Sequence, residues 1–255
     1  MAGEAPDRDH MAALEKGLAV IECFDAGRDR LTIADVARAT DLSRAAARRC
    51  LLTLTRIGYA SFDGKFFRLT PRVLRLGHAW LASAALPQLV QPFLERLSEE
   101  THESSSASLL DGHEIVYIAR SAQRRIMSVG LSVGTRLPAF CTSMGRVLLA
   151  ARDPADARAR ILAGRPRALT PHTVTDPDRL AEILTVVRAQ GYCIVDQELE
   201  LGLISIAMPL INARGEVVAA FNLSGQVQRS SAVEMAERFL PGMRQLQVLL
   251  RPMIS

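Results

Sequence analysis

Residues 43–57 read SRAAARRCLLTLTRI. At the helical step of about 100° per residue, Ala47, Cys50, Leu51, Leu54 and Ile57 share one face. Ala45, Arg49, Leu52 and Arg56 lie opposite, flanked by Arg44 and Arg48. Ser43 suits the N-cap, because its hydroxyl accepts an otherwise unpaired N–H of the first turn. The segment is thus a helix with a packing face and an outward face of small residues and arginines. Small residues let a helix sit deep in a groove, and a guanidinium forks onto guanine O6 and N7 or onto phosphate. Alone, the same pattern also fits a surface helix with solvated arginines, so the flanking sequence decides.

Upstream, Met11–Phe24 has Leu14, Leu18, Ile21 and Phe24 on one helical face, and Asp25-Ala26-Gly27 breaks it. Leu31–Ala39 is a short second helix with Thr32 as N-cap and Asp35 as capping-box partner, turning Ile33, Val36 and Ala37 inward. Thr40-Asp41-Leu42 then makes a tight turn into the Ser43 helix, the order of a helix-turn-helix whose second helix reads DNA. Downstream, Gly58 ends the reader helix. Tyr59–Leu69 is a hairpin about Asp63-Gly64, a dipeptide suited to a tight β-turn because both positions tolerate positive φ. Three helices plus a basic hairpin make a winged helix-turn-helix, with Phe62, Phe66 and Phe67 packing the wing. The candidate contacts to double-stranded operator DNA are Ser43, Arg44, Ala45, Arg48 and Arg49 on the helix, and Lys65 and Arg68 on the wing. Leu52 also faces outward.

Charge supports this reading. The chain of 255 residues nets +4, yet Arg30–Arg75 holds ten basic and three acidic residues, a net of +7 that leaves −3 for the remainder. A local excess of this kind points to an anionic partner. The composition, 49% hydrophobic and 23% charged, is that of a globular protein with room for two domains. No apolar run is long enough to span a bilayer, and the first ten residues lack the apolar core of a signal peptide, so no membrane association and a cytoplasmic location are expected. Cys23, Cys50, Cys141 and Cys193 form no C-x-x-C pair and read as buried apolar residues.

The expected organisation is a frayed tail at 1–9, the winged helix-turn-helix at 10–70, a linker helix at 71–82 and a second domain at 83–255. Pro71–Leu81 carries more apolar surface than a linker needs, which points to contact with a second chain. In the second domain Pro87–Thr101 is helical, and Ser104–Leu110 and Glu114–Arg120 are strands about Asp111-Gly112. Ile126–Leu131 reads as a strand and Gly134–Pro138 as a turn. Thr142–Ala151, Pro154–Leu162 and Asp176–Ala189 read as helices, Cys193–Asp196, Ile204–Leu210 and Val217–Leu223 as strands, and Ser230–Leu250 as a closing helix. Hairpins at both ends with helices between them give an α+β domain on a largely antiparallel sheet.

No catalytic constellation is present in the sequence. GLSVG at 130–134 lacks the Lys-Ser/Thr of a phosphate loop, no G-x-S-x-G occurs, and His78, His102, His113 and His172 lack metal-ligand spacing. Asp153, Asp156, Asp176 and Asp178 fall at turns or helix starts, where acids suit the helix dipole. The expectation is no enzyme, no metal and no cofactor. One helix start, PAFCTSMG at 138–145, brings Thr142, Ser143 and Gly145 into a first turn. Its free N–H groups could hold a small organic acid's carboxylate, or Thr142 or Ser143 could simply cap them.

Four features together resemble the IclR-type transcription regulators over nearly the full chain. They are the winged helix-turn-helix ending in Gly58-Tyr59, VGTRLPAFCTSMGRVLLA from Val133, GYCIVDQELELGLISIAMPL from Gly191 and GEVVAAFNLSG from Gly215. The reader helix LSRAAARRCLLTL and the segment CTSMGRVLLA further resemble the branch that controls aromatic-acid catabolism through protocatechuate, 4-hydroxybenzoate or β-ketoadipate. The resemblance implies a homodimer, often paired into a tetramer, that binds a promoter palindrome. It also implies a GAF- or profilin-like C-terminal domain that binds a small organic acid. The pocket it implies is formed by Cys141, Thr142, Ser143, Met144 and Gly145, with a second wall at Val195 and Ser205. Many members carry an acid where Val195 stands and another after it; here Asp196 alone remains, and Ser205 stands where many have cysteine. Arg125 and Arg136 are candidate carboxylate partners. A small keto acid such as glyoxylate or pyruvate is the alternative effector. An enzyme with an accessory DNA-binding domain is the alternative of another class.

Overall fold

A computed structural model of the chain describes residues 10–25, 27–123, 131–229 and 231–254. The chain divides after residue 83 into two compact units.

The first unit contains α1 (Ala12–Glu22), α2 (Ile33–Thr40) and α3 (Arg44–Arg56), the hairpin strands β1 (Ala60–Phe62) and β2 (Phe67–Leu69), and α4 (Leu74–Ser83) after a 3-10 turn. Thr32 and Asp35 form the expected capping box: the Thr32 N–H and hydroxyl donate to Asp35 Oδ2, and Asp35 N–H donates to Thr32 Oγ1. Asp41 ends α2 in the left-handed region (φ 55°), and three residues on, α3 begins with Ser43 Oγ accepting from Ala46 N–H at 3.2 Å. Val20, Leu31, Val36, Ala47, Leu51, Leu54 and Phe67 fill the core between these elements. Ile57 departs from the expected packing face. As the C-cap residue it sits past the regular helix and is 47% exposed.

The wing turn is wider than the Asp63-Gly64 dipeptide predicts. Phe62 pairs with Phe67, so residues 63–66 form the loop. Gly64 alone there has positive φ (102°), while Asp63 Oδ1 accepts the N–H groups of Lys65 and Phe66 and closes the loop through its side chain. Phe67 exchanges two backbone hydrogen bonds with Leu31, tying the wing to the helical core. Phe62 stacks on Phe67 at 4.4 Å, and Phe66 lies under the Arg30 guanidinium at 4.6 Å, so the three rings pack the wing as expected. On α4, Leu74, Leu76 and Trp80 are exposed.

The second unit begins with α5 (Ala85–Thr101), followed by β3 (Ser104–Asp111), β4 (Glu114–Ser121) and the short β5 (Arg136–Pro138). After a 3-10 turn at Ala139–Cys141 come α6 (Ser143–Ala150), α7 (Pro154–Ala163), α8 (Pro177–Gln190), β6 (Cys193–Asp196), β7 (Leu203–Ile211), β8 (Val217–Gln226) and α9 (Ala232–Leu250). The strands form one antiparallel sheet in the order β5-β4-β3-β8-β7-β6. The predicted strand at Ile126–Leu131 falls outside the described residues except for Leu131, which is not in a strand. The predicted turn at Gly134–Pro138 is only half a turn. Gly134 (φ 87°) bends the chain, but Arg136–Pro138 pairs with Glu114–Val116 as the edge strand β5.

Each face of the sheet has its own core, because period-2 alternation sends neighbouring residues to opposite sides. Ile204, Ile206, Phe221 and Leu223 pack against Val90 and Leu94 of α5 and Phe239 and Met243 of α9. On the other face Ile115, Tyr117, Cys193, Val195, Ala207 and Ala220 meet the 3-10 turn and α6 to α8. Every residue of α6 is buried. Burying each large side chain there is worth about 1.5–3 kcal/mol, and this anchors the helix that opens the candidate effector pocket.

Candidate functional site

In the first unit, Ser43, Arg44, Ala45, Arg48 and Arg49 all lie on the exposed side of α3, and Lys65 and Arg68 are exposed on the wing. Leu51 and Leu54 hold α3 to the core from the opposite side, so the arginines project outward from a fixed helix. Acidic residues neutralise only part of the basic segment. Arg30 pairs with Asp63 and Arg38 with Asp35. Among the described residues, Arg44, Arg48, Arg49 and Arg68 form no ion pair, and their charge stays available to a polyanion. Arg49 and Lys16 flank a groove between α1 and α3. The outward side of α3 also exposes Leu52 (39%), an apolar spot among the arginines.

In the second unit, Cys141, Thr142, Ser143, Met144, Val195 and Ser205 come together around one cavity of about 30 Å³. The start of α6 supplies one wall, and β6 and β7 the facing wall. Ser205 Oγ donates to Ser143 Oγ at 2.9 Å across the cavity. Thr142 caps its own helix, with Oγ1 accepting from Gly145 N–H and donating to Pro138 O, so its side chain satisfies the helix start. Gly145 does not line the cavity. A Cβ there would fall 2.2 Å from the Ala139 carbonyl oxygen, so glycine at this position serves the close approach of α6 to the 3-10 turn. Burial pushes the Cys141 and Cys193 thiols up to about 12, as it does the Tyr117 phenol, which also lines the cavity.

Arg136 does not serve the cavity. It is held on the surface between Asp111 and Glu114, each at 2.8 Å. Arg125 lies outside the described residues. The sequence reading missed Arg146 and Glu198, a buried pair joined by two hydrogen bonds of 2.5 and 2.6 Å. They are 52 residues apart, and no local spacing signals their meeting. Asp196, the one acid kept from the family pattern, is exposed, and Glu198 two residues later takes the buried position. Also missed were Asn222 and Ser224 of β8, which line the cavity from the sheet.

Comparison with known proteins adds to this geometry. Residues 13–64 match the IclR helix-turn-helix domain, and residues 78–247 match the bacterial transcriptional regulator IclR C-terminal domain. The Pca regulon regulatory protein of Pseudomonas putida is 50% identical over 236 residues, covering 92% of this chain and 81% of that protein. The p-hydroxybenzoate hydroxylase transcriptional activator of Acinetobacter baylyi is 40% identical over 256 residues, covering 98% and 94%. Among solved structures, a double mutant of the PobR inducer-binding domain from Acinetobacter, complexed with 3-hydroxybenzoic acid, is 38% identical with a TM-score of 0.64. That match covers 67% of this chain and all of that domain. These relatives are regulators, in keeping with a chain that is no enzyme. With both halves matched in order, α3 and the first strand of the wing within the first and the cavity within the second, the chain belongs to the IclR family of bacterial transcriptional regulators.

Proposed function

We propose that this regulator acts in the cytoplasm as a homodimer on a promoter palindrome and controls an operon for aromatic-acid degradation. An aromatic acid or a β-ketoadipate-like diacid, bound in the Ser143–Ser205 cavity, is the signal. The observation that carries this reading is the convergence of Cys141–Met144 with Val195 and Ser205 around one small cavity. The named roles of the relatives, the Pca regulon and p-hydroxybenzoate hydroxylase activation, support the pathway. Arg44, Arg48 and Arg49 contact bases and phosphates in the major groove, Ser43 and Ala45 allow the close approach of α3, and Lys65 and Arg68 hold phosphate or minor groove from the wing. Exposed Leu74, Leu76 and Trp80 on α4 support pairing of two chains.

A cavity of about 30 Å³ holds roughly one water. An aromatic acid therefore enters only as the walls move apart, and its affinity differs between the closed and widened forms. That difference is what lets a ligand shift a conformational equilibrium and with it the spacing of two reader helices. The same small volume favours glyoxylate or pyruvate as the second reading. Calorimetry of the full chain with 4-hydroxybenzoate, 3,4-dihydroxybenzoate, β-ketoadipate, pyruvate and glyoxylate separates the two. Saturable binding of the aromatic acids or the diacid supports the first reading. Binding of the keto acids alone supports the second, and no binding by any of the five sinks the effector assignment.

A further inference from the structure

Two buried polar atoms among the described residues lack a hydrogen-bond partner: Nε of Arg120 and Oδ1 of Asn222. They sit on one face of the sheet. Ser106 of β3 pairs in register with Arg120 of β4 on one side and with Asn222 of β8 on the other. Arg120, Ser106 and Asn222 therefore form a row across three adjacent strands. Asn222 is 5% exposed and lines the cavity, as do Tyr117, three residues before Arg120 on β4, and Ser224 beyond Asn222 on β8. The row thus leads from Asn222 in the cavity lining across Ser106 to Arg120, which shares that face of the sheet but stands outside the lining of the closed cavity.

The two orphaned atoms are complementary in kind. Arg120 offers a cationic donor. Its Nη1 donates to Ser106 Oγ at 3.2 Å, and no carboxylate among the described residues balances its charge. Burial pulls the guanidinium below its ordinary range, as expected for a cation left without a counter-ion. Asn222 offers an acceptor. A buried acceptor without a donor pays its desolvation uncompensated, and a ligand hydroxyl would remove that cost. Resting on the effector reading above, we infer that Arg120 takes the carboxylate of the effector and that Asn222 Oδ1 accepts a hydrogen bond from a hydroxyl on it. The recognised class is then a hydroxylated carboxylic acid, and Asn222 is the residue that distinguishes it from the unhydroxylated acid.

The test is calorimetry on the full chain with 3-hydroxybenzoate, 4-hydroxybenzoate, benzoate and 4-hydroxybenzamide. Wild type should bind the better hydroxybenzoate about tenfold more tightly than benzoate. Asn222→Leu should lose that preference while still binding benzoate. Arg120→Met should weaken the acids roughly 10–100-fold and leave the neutral amide unchanged, and Arg120→Lys should recover part of the loss. Operator affinity without effector checks that each variant is folded. Equal wild-type affinity for benzoate and both hydroxybenzoates overturns the role of Asn222 without recourse to any variant. An acid-to-amide preference unchanged in Arg120→Met overturns the role of Arg120. Altered melting with unaltered selectivity means that the two side chains merely share a structural water, and it overturns the inference while the effector reading stands. No binding of any of these compounds by wild type removes the effector reading and this inference with it.

Discussion

Arg146 and Glu198 face each other as a planar fork, Nη1 to Oε1 at 2.5 Å and Nη2 to Oε2 at 2.6 Å, with both residues buried. Each also has a further partner. Arg146 Nε donates to Phe140 O, and Glu198 Oε2 accepts from Val174 N–H. The pair joins α6, which forms one wall of the cavity, to the β6–β7 connection, which leads into the other. Removing one partner leaves a buried charge uncompensated, so Arg146→Met or Glu198→Leu should each lose about 3–5 kcal/mol of stability in urea unfolding, while the double variant should lose clearly less. Equal losses in the single and double variants would mean that the pair does not act as a unit.

Gly145 makes a second stability prediction. A methyl group at this position would sit 2.2 Å from Ala139 O and 2.4 Å from Ala139 Cα, and both are backbone atoms with little freedom to yield. Gly145→Ala should therefore destabilise the second unit by about 1–3 kcal/mol or more, even though alanine is the better helix former. A melting temperature at or above that of wild type would show that the turn relaxes freely.

Alkaline pH should weaken the fold. Cys141 and Cys193 keep their protons up to about 12 in the native chain against an ordinary value of 9.0, and Tyr117 up to about 12 against 10.0. With folded values raised, the unfolded chain loses these protons first. Their contribution to stability is complete below about pH 9 and is lost as pH rises through 9 and 10 towards 12. Urea midpoints measured at pH 8, 9.5 and 10.5 should fall progressively, and Tyr117→Phe should flatten the slope above pH 10. A midpoint constant across that range would contradict the burial of these groups.

Much of the fold could be read locally because its signals are local. The Thr32–Asp35 capping box and the Ser43 cap each lie within one helical turn, and the hairpins of the second unit are marked by Asp111-Gly112 and by the turn before Gly215. What escaped depends on contacts between distant segments. Arg136–Pro138 looks like a turn until Glu114–Val116 is beside it, and Asp63-Gly64 looks like a two-residue turn until the Asp63 side chain closes a four-residue loop. The site divides in the same way. The arginines of α3 follow from helical periodicity and the Thr142–Gly145 helix start from its small residues, while Cys141, Met144, Val195 and Ser205 are added by the family resemblance. Arg120, Asn222 and Glu198 became visible only when strand register and long-range pairing placed them.

The central claim is that α3 reads DNA through its unpaired arginines, and operator affinity measured against salt tests it most directly. Fluorescence anisotropy on the chain's own promoter DNA, for wild type, Arg48→Ala and Arg49→Ala, should show binding that weakens steeply with salt. Each variant should bind more weakly, and the log–log slope should be shallower by about one for each phosphate contact removed. If Arg49 reads a guanine, its loss should cost about 1–3 kcal/mol on the operator and little on unrelated DNA. Affinities and slopes identical to wild type in both variants would contradict the claim.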